Sequence, residues 1–195
     1  SMIVVLSAGL VSLLPVLSQC AAKKTLKRDA DPIVITGCAL KGLEGKEIGD
    51  VRLFGAKGGK LSVIPFQIDK KNSDGEYVFS EHAGAKPSGK IECRDELVFM
   101  AKDTGDKIDK KQKPSGAAGG VEIEVTDPAG KGKGWVYLYA FPDGRVPALS
   151  PMDYVECKNK CTSVESRNYE VGFSQISPLV FDTLIVKKDG GGNGK

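Results

Sequence analysis

Short apolar or alternating segments, separated by glycine, proline and Asp-Gly turn signals, recur along the chain and most constrain its fold. Val121–Val125 alternates apolar and acidic residues, which is typical of a strand with one buried face. Trp135–Phe141 is apolar at consecutive positions, which is typical of a strand buried on both faces. About ten such segments, without a convincing amphipathic helix, predict an all-β antiparallel sandwich or barrel-like domain.

Turn-forming residues divide the predicted strands. Pro65 interrupts one of them, so we expect an edge, a bulge or a bend there. Asp74-Gly75 predicts a hairpin turn. The segment 102–120 is polar and glycine-containing, and we expect it to form a surface loop. The predicted strands are 33–36, 51–54, 61–68, 76–79, 97–101, 121–125, 135–141, 153–156, 164–173 and 179–186.

The composition is that of one globular domain. The chain has 195 residues, of which 41% are hydrophobic and 27% charged. Its 28 basic and 25 acidic residues are interspersed, which indicates a mixed solvated surface and disfavours nucleic-acid binding. We expect an export or lipoprotein signal at 1–20, a linker at 21–31, the β domain at 32–188 and a flexible tail at 189–195.

The first twenty residues predict export. Met2–Leu17 is almost entirely apolar, but it is shorter than a membrane-spanning helix and contains Pro15. It predicts a signal or anchor helix. Residues 17–20, Leu-Ser-Gln-Cys, resemble the lipobox of bacterial lipoproteins, in which the cysteine is lipidated. Gln19 departs from the small residue of that pattern, and cleavage near Ala22 to release a soluble protein is the alternative.

The cysteine count agrees with export. Without Cys20, four cysteines remain, and three pairings are open. Cys157 and Cys161 flank a tight turn between two strand-like segments, so they form the natural pair. Cys38 would then bridge to Cys93. We expect no metal at these positions, because no Cys-x-x-Cys is present and the single histidine has no ligand-like neighbour.

Two groups of side chains are candidate ligand-binding residues. Trp135 and Tyr137 share one strand face with two further aromatic rings, and such a row can pack against sugar rings or lie in the core. The second group joins Gln67 and Asp69 to the acids Asp95 and Glu96. A carboxylate pair can serve acid–base chemistry on a glycoside, but adjacent strand residues point to opposite sides, so Asp95 and Glu96 cannot form it together. Ion pairing of these acids with Arg52 or Arg94 is the alternative.

No cofactor is expected. Acidic clusters at 69–76 and 103–109 offer oxygen ligands to calcium, but they lack EF-hand spacing and contain lysines. Nucleophile-elbow, dinucleotide and phosphate-loop motifs are missing from the sequence, so we assign no catalytic residue.

Three short motifs, Val63–Asp69, Asp74-Gly75 and Asp95–Phe99, carry a resemblance to a family of secreted bacterial β-domains and lipoproteins. Some of these domains accompany carbohydrate-active proteins, including rhamnogalacturonan lyases. The resemblance covers roughly residues 50 to 106. It implies a scaffold signature and no catalytic residue.

The expected function is that of an exported, lipid-anchored binding or assembly module in the periplasm or at the outer membrane or cell surface. Its expected partners are a glycan or an envelope protein, with membrane attachment through Cys20. Two alternatives stay open: a carbohydrate-active enzyme or its accessory glycan-binding domain, and a structural subunit of a cell-surface assembly.

Overall fold

The computed structural model describes residues 22–78, 88–109, 111–158, 162–177 and 180–194. The expected signal or anchor helix at 1–20 lies outside these ranges. The described chain is all-β, as predicted, with eleven strands and four short 3-10 turns.

The strands are β1 (Pro32–Thr36), β2 (Val51–Lys57), β3 (Lys60–Val63), β4 (Gln67–Asp69), β5 (Glu96–Met100), β6 (Gly119–Thr126), β7 (Lys133–Ala140), β8 (Val155–Lys158), β9 (Ser163–Ser166), β10 (Tyr169–Phe173) and β11 (Phe181–Val186). The 3-10 turns are Gly37–Ala39, Ile48–Asp50, Ala101–Asp103 and Lys188–Gly190.

Three antiparallel sheets are formed. The central sheet has the order β3-β2-β7-β6, the three-stranded sheet β1-β5-β4, and the C-terminal sheet β11-β10-β9-β8. No sheet closes into a barrel within the described ranges, so of the two predicted architectures the chain adopts the sandwich-like one.

The main hydrophobic core lies between the central and the three-stranded sheets. Leu53 on β2 and Val136 and Leu138 on β7 pack with Leu97 and Phe99 on β5, and all five side chains are almost fully buried. Since side chains alternate along a strand, the residues between them point away from this core.

The other face of the central sheet is covered by residues 105–109 and 111–118. Phe54, Trp135 and Tyr137 share a second core with Ile108 and Ala117 of this segment. β7 is therefore buried on both faces, as its consecutive apolar residues predict. The segment expected as a surface loop therefore packs on the sheet. Ile108 and Ala117, apolar residues among its lysines, anchor it there.

Gly105 joins the two halves of the sandwich. Its backbone exchanges hydrogen bonds of 2.8 and 3.0 Å with Trp135, and the next amide, that of Asp106, donates to the Ala56 carbonyl at 2.7 Å. A Cβ at position 105 would overlap the Ala56 backbone. The absence of a side chain thus lets the chain that leaves β5 enter the central sheet between β2 and β7.

The segment expected as a linker is docked on the fold where it is described. Leu26 is buried in the main core, and its amide donates to the Lys133 carbonyl at 2.9 Å. Arg28 forms an ion pair with Asp127 at 2.9 Å. One apolar residue among the charges is enough to hold this segment against β7.

Two predicted strands are divided in the structure. The segment 61–68 breaks around Pro65, and its halves belong to different sheets, as β3 and β4. The segment 164–173 forms two strands, β9 and β10, joined by a tight turn. The turn at Asp74-Gly75 forms as predicted, with Gly75 at φ +83°, but it closes a single bridge between Lys71 and Tyr77.

The predicted disulfide between Cys38 and Cys93 is present in the structure, with a sequence separation of 55 residues. It ties the turn after β1 to the loop that precedes β5. Cys157 is disulfide-bonded as well, and Cys161, its predicted partner, lies outside the described residues.

Candidate functional site

Three of the predicted ligand residues lie on one surface, the side of the three-stranded sheet that faces away from the core. Antiparallel register pairs Gln67 with Val98 and Asp69 with Glu96, and paired residues point to the same side. Since Leu97 faces the core, its neighbours face outward. We call this surface the outer face and define it by Gln67, Asp69, Glu96, Val98 and Met100.

The polar end of the outer face is held by hydrogen bonds between its own side chains. The Gln67 amide donates to both carboxylate oxygens of Asp69, at 3.0 and 3.1 Å. Gln67 is exposed and Asp69 is half-buried, so both side chains keep hydrogen-bonding capacity that is open to solvent.

Glu96 is the most constrained acid of this face. Its Oε1 lies 2.5 Å from Lys71 Nζ, and its Oε2 accepts a hydrogen bond of 2.8 Å from the Tyr77 hydroxyl. These two donors hold the pKa of Glu96 below its usual value, and the same contacts raise the pKa of Lys71 and of Tyr77. Glu96 therefore stays ionised at neutral pH and does not serve as a proton donor.

The Tyr77 ring supplies an aromatic surface beside these polar groups. Tyr77 is 52% exposed, and the Lys71 ammonium lies 4.8 Å from its ring centroid. The preceding turn positions it, because the Asn72 side chain accepts the amides of Asp74 and Glu76 at 3.0 and 2.9 Å. An exposed ring next to carboxylates and an amide can pack and hydrogen-bond a polar ring-shaped ligand.

Asp95 points the other way and belongs to the scaffold. It is 1% exposed, and it accepts the Glu92 amide at 2.7 Å, the Lys71 amide at 3.3 Å and Lys70 Nζ at 2.5 Å. The structure thus separates Asp95 from the other predicted ligand residues. Its buried carboxylate instead ties the turn before β5 to the chain that follows β4.

The predicted arginine partners of these acids are wrong. Arg94 pairs with Glu92 at 3.0 Å, and Arg52 donates to backbone carbonyls, including that of Pro147 at 2.7 Å. Lysines 70 and 71 take the arginines' place, because the chain directly after β4 runs beside the start of β5. No local sequence signal pairs these lysines with the acids, because each contact joins residues 25 positions apart.

A groove of about 430 Å³ adjoins the outer face. Val98 and Met100 line its sheet side, and Leu149, Met152 and Tyr154 line the opposite side. We call it the apolar groove. It begins at Gln67 and so continues the polar end of the outer face into a mostly apolar channel.

Tyr154 fixes the far wall of the apolar groove. Its hydroxyl donates to Asp103 Oδ2 at 2.5 Å, and the Lys102 ammonium lies 4.0 Å from its ring centroid. Burial and the Asp103 carboxylate both raise the pKa of Tyr154, so the hydroxyl keeps its proton and the contact persists at neutral pH.

Trp135 and Tyr137, the other predicted ligand residues, lie in the second core. Trp135 is 4% exposed and donates its ring N–H to Glu124 at 3.1 Å, while the Tyr137 hydroxyl accepts the Ile108 amide at 2.9 Å. Their rings pack against Ile108 and Ala117 and offer no platform to a sugar. We therefore leave them out of the candidate site.

The described residues contain no helix long and apolar enough to cross a membrane. Within the same ranges, no cluster of three or more histidine, cysteine or acidic side chains is placed to hold a metal ion. Cys20 lies outside the described residues, so its predicted lipidation stays a prediction.

Comparisons with protein-family models, with curated proteins and with solved structures found no match. The resemblance to secreted bacterial β-domains therefore rests on the short motifs quoted for it.

Proposed function

We propose that this protein is an exported, lipid-anchored binding module that holds a glycan on the outer face of its three-stranded sheet. The observation that carries the proposal is the convergence of Gln67, Asp69 and Glu96 beside the exposed ring of Tyr77. Amide and carboxylate groups suit sugar hydroxyls, and an exposed ring suits the C–H face of a pyranose.

The groove extends this surface in a way that suits an oligosaccharide better than a single sugar. Its volume of about 430 Å³ lies within the range of roughly 300–1,000 Å³ that small-ligand sites occupy. Gln67 belongs to both the polar end and the groove. A bound chain would place one residue on Tyr77 and continue along Val98 and Met100.

Binding suits this arrangement better than hydrolysis. Glycosidases of the common types need one carboxylic acid that holds its proton near neutral pH. The pKa of Glu96 is lowered by Lys71 and Tyr77, which is the opposite direction. A charged carboxylate fixed by two donors instead presents a permanent acceptor to a ligand hydroxyl.

Export and anchoring are supported by two observations of different kinds. The apolar residues 2–17 precede Cys20 in a lipobox-like context. The Cys38–Cys93 disulfide suits an oxidising compartment such as the periplasm or the cell surface.

The anchor is tested by comparing wild type with Cys20→Ala in cells fed radiolabelled fatty acid. We expect label in the wild-type chain alone, and we expect the variant to leave the membrane fraction. Wild type and variant that fractionate alike without label would remove the anchor from the proposal.

The binding site is tested with the full-length chain on an array of neutral and acidic polysaccharides, rhamnogalacturonan included. For each glycan bound, titration calorimetry would compare wild type with Tyr77→Ala and Glu96→Gln. We expect each substitution to weaken binding at least about tenfold, since each removes a direct contact. Glu44→Gln, which changes an exposed acid away from the outer face, is the matched control.

An array without bound glycans, or variants that bind like wild type, would overturn this assignment. Tyr77→Phe separates the two contributions of the tyrosine. It keeps the ring and removes the hydrogen bond to Glu96, so we expect it to bind more tightly than Tyr77→Ala.

A structural role in a cell-surface assembly is the second candidate. The observation that favours it is the C-terminal sheet, which leaves large apolar side chains exposed and meets the apolar groove only at Val155.

A further inference from the structure

The C-terminal sheet has one apolar and one charged face. Cross-strand pairs on one side are Cys157 with Val164, Val164 with Val171, Val171 with Leu184, and Tyr169 with Val186. A register shift between Gly172 and Phe173 places Phe181 opposite Phe173 and so adds this pair. Together with Val155, these residues define what we call the apolar face. None of them is charged.

The charged face carries the alternate residues of the same strands. Glu156 lies opposite Glu165, and the repulsion between them is offset by lysines: Lys158 lies 2.7 Å from Glu156, and Lys187 pairs with Glu165. Lys187 also lowers the pKa of Glu165, so this face stays ionised and hydrated. This face is therefore the one suited to water.

The apolar face is not covered by any described part of the chain in the way a core face would be. Phe181 is 62% exposed and Leu184 is 56% exposed, and Val155, Tyr169 and Val186 are exposed as well. An antiparallel sheet normally buries its apolar side against a second layer, because the hydrophobic effect opposes leaving it in water. Exposed patches of this kind mark interaction sites.

We infer that the apolar face is covered by the apolar face of a second copy of this chain, so that two C-terminal sheets stack into an intermolecular β-sandwich. Absence of charge makes the face complementary to itself, because stacking two copies brings no like charges together. Two such sheets pack about 10 Å apart with interdigitating side chains. A two-fold axis through the middle strands would let each copy present the same residues.

The size of the face sets the expected strength. Four strands about 4.8 Å apart and about five residues of 3.4 Å give a flat footprint of about 320 Å² per copy. Two copies then cover about 650 Å² before side-chain relief is counted, which belongs to the weak, reversible class of interfaces. We therefore expect a dimer that forms reversibly with rising concentration. The inference gives the assembly candidate a partner, and it does not depend on glycan binding.

Photocrosslinking in cells that produce the full-length chain tests it. A photoreactive residue at Leu184 should capture a second copy and give a band at twice the mass of the monomer. The matched control is Thr183, an exposed neighbour that points to the charged face, and it should give no such band. Two differently tagged copies would show that the captured partner is this chain.

Substitution at two separate strands completes the test. Leu184→Asp and Tyr169→Asp should each weaken dimerisation at least about tenfold in analytical ultracentrifugation, whereas Thr183→Asp should not, and circular dichroism would show that all three remain folded. A chain that stays monomeric at millimolar concentration, or a crosslink from Leu184 to a different protein alone, would overturn the inference. A failed glycan array would leave it unaffected.

Discussion

Asp95 and Glu96 are neighbours in the sequence, yet they serve opposite sides of the three-stranded sheet. Glu96 lies on the outer face between Lys71 and Tyr77, while Asp95 is buried against Lys70 and two backbone amides. A buried carboxylate without its partners would be strongly unfavourable, so its hydrogen bonds fix the turn before β5.

We expect Asp95→Ala to lower the free energy of unfolding by about 3 kcal/mol, because it leaves Lys70 and the Glu92 amide without their buried acceptor. Arg94→Ala, which removes an exposed pair with Glu92, should change it by less than about 1 kcal/mol. Urea denaturation monitored by tryptophan fluorescence measures both. Equal values for the two variants would contradict a structural role for Asp95.

The opposite directions of residues 95 and 96 could be predicted from strand periodicity alone. The identity of their partners could not, because Lys70 and Lys71 lie 25 residues away along the chain. Arg94, which directly precedes Asp95 in the sequence, and Arg52 were the expected partners. The pairing of β4 with β5 instead places the two lysines, which directly follow β4, beside the acids.

At the scale of elements, β7 and the segment that covers it form one unit. The Tyr137 hydroxyl accepts the Ile108 amide at 2.9 Å beneath this segment. Burial, only partly opposed by that hydrogen bond, raises the pKa of Tyr137 to about 12. Ionisation of this tyrosine is therefore coupled to opening of the segment.

The raised pKa of Tyr137 makes the fold less stable at high pH. A tyrosine whose pKa is higher in the folded than in the unfolded chain stabilises the fold below its unfolded pKa, about 10, and this contribution is lost as the pH rises toward 12. We expect the free energy of unfolding to fall over this interval. Tyr139 and Tyr154 act in the same direction, since their pKa values are raised too.

Tyr137→Phe isolates the contribution of one tyrosine. The variant should be about 1 kcal/mol less stable at neutral pH, because the Ile108 amide loses its acceptor, but it should lose less stability between pH 10 and 12. Denaturation curves across this range measure the difference. If the free energy of unfolding fell equally for wild type and variant over this range, ionisation of Tyr137 would not contribute to the loss of stability.

At the scale of the whole molecule, the Cys38–Cys93 disulfide joins distant parts of the chain. It closes a loop of 55 residues that contains β2, β3 and β4 and so spans both sheets of the main core. Constraining a loop of this length in the unfolded chain stabilises the fold by about 4 kcal/mol in the chain-entropy account.

We therefore expect the double variant Cys38→Ala, Cys93→Ala to unfold with a free energy lower by about 4 kcal/mol. Reduced wild type should approach the stability of the variant. Thermal denaturation with and without reductant measures both, and the variant provides the control for effects of reductant elsewhere. The prediction would be contradicted if reduction of the Cys38–Cys93 bond left the stability of the wild-type protein unchanged.

Local pattern by itself determined the all-β class, the positions of most strands, the double burial of β7 and the break at Pro65, because side-chain alternation and turn residues act over a few positions. The sequences of Val155–Lys158 and Tyr169–Phe173 also alternate between apolar and other residues. This alternation reveals an apolar and a charged face of the C-terminal sheet only when the pairing of its strands is known. The tertiary structure alone decided which strands pair, that the segment with Ile108 and Ala117 covers the aromatic row of β7, and that Tyr77 contacts Glu96. These features depend on contacts between residues that are distant in sequence, and no short segment contains both partners of such a contact.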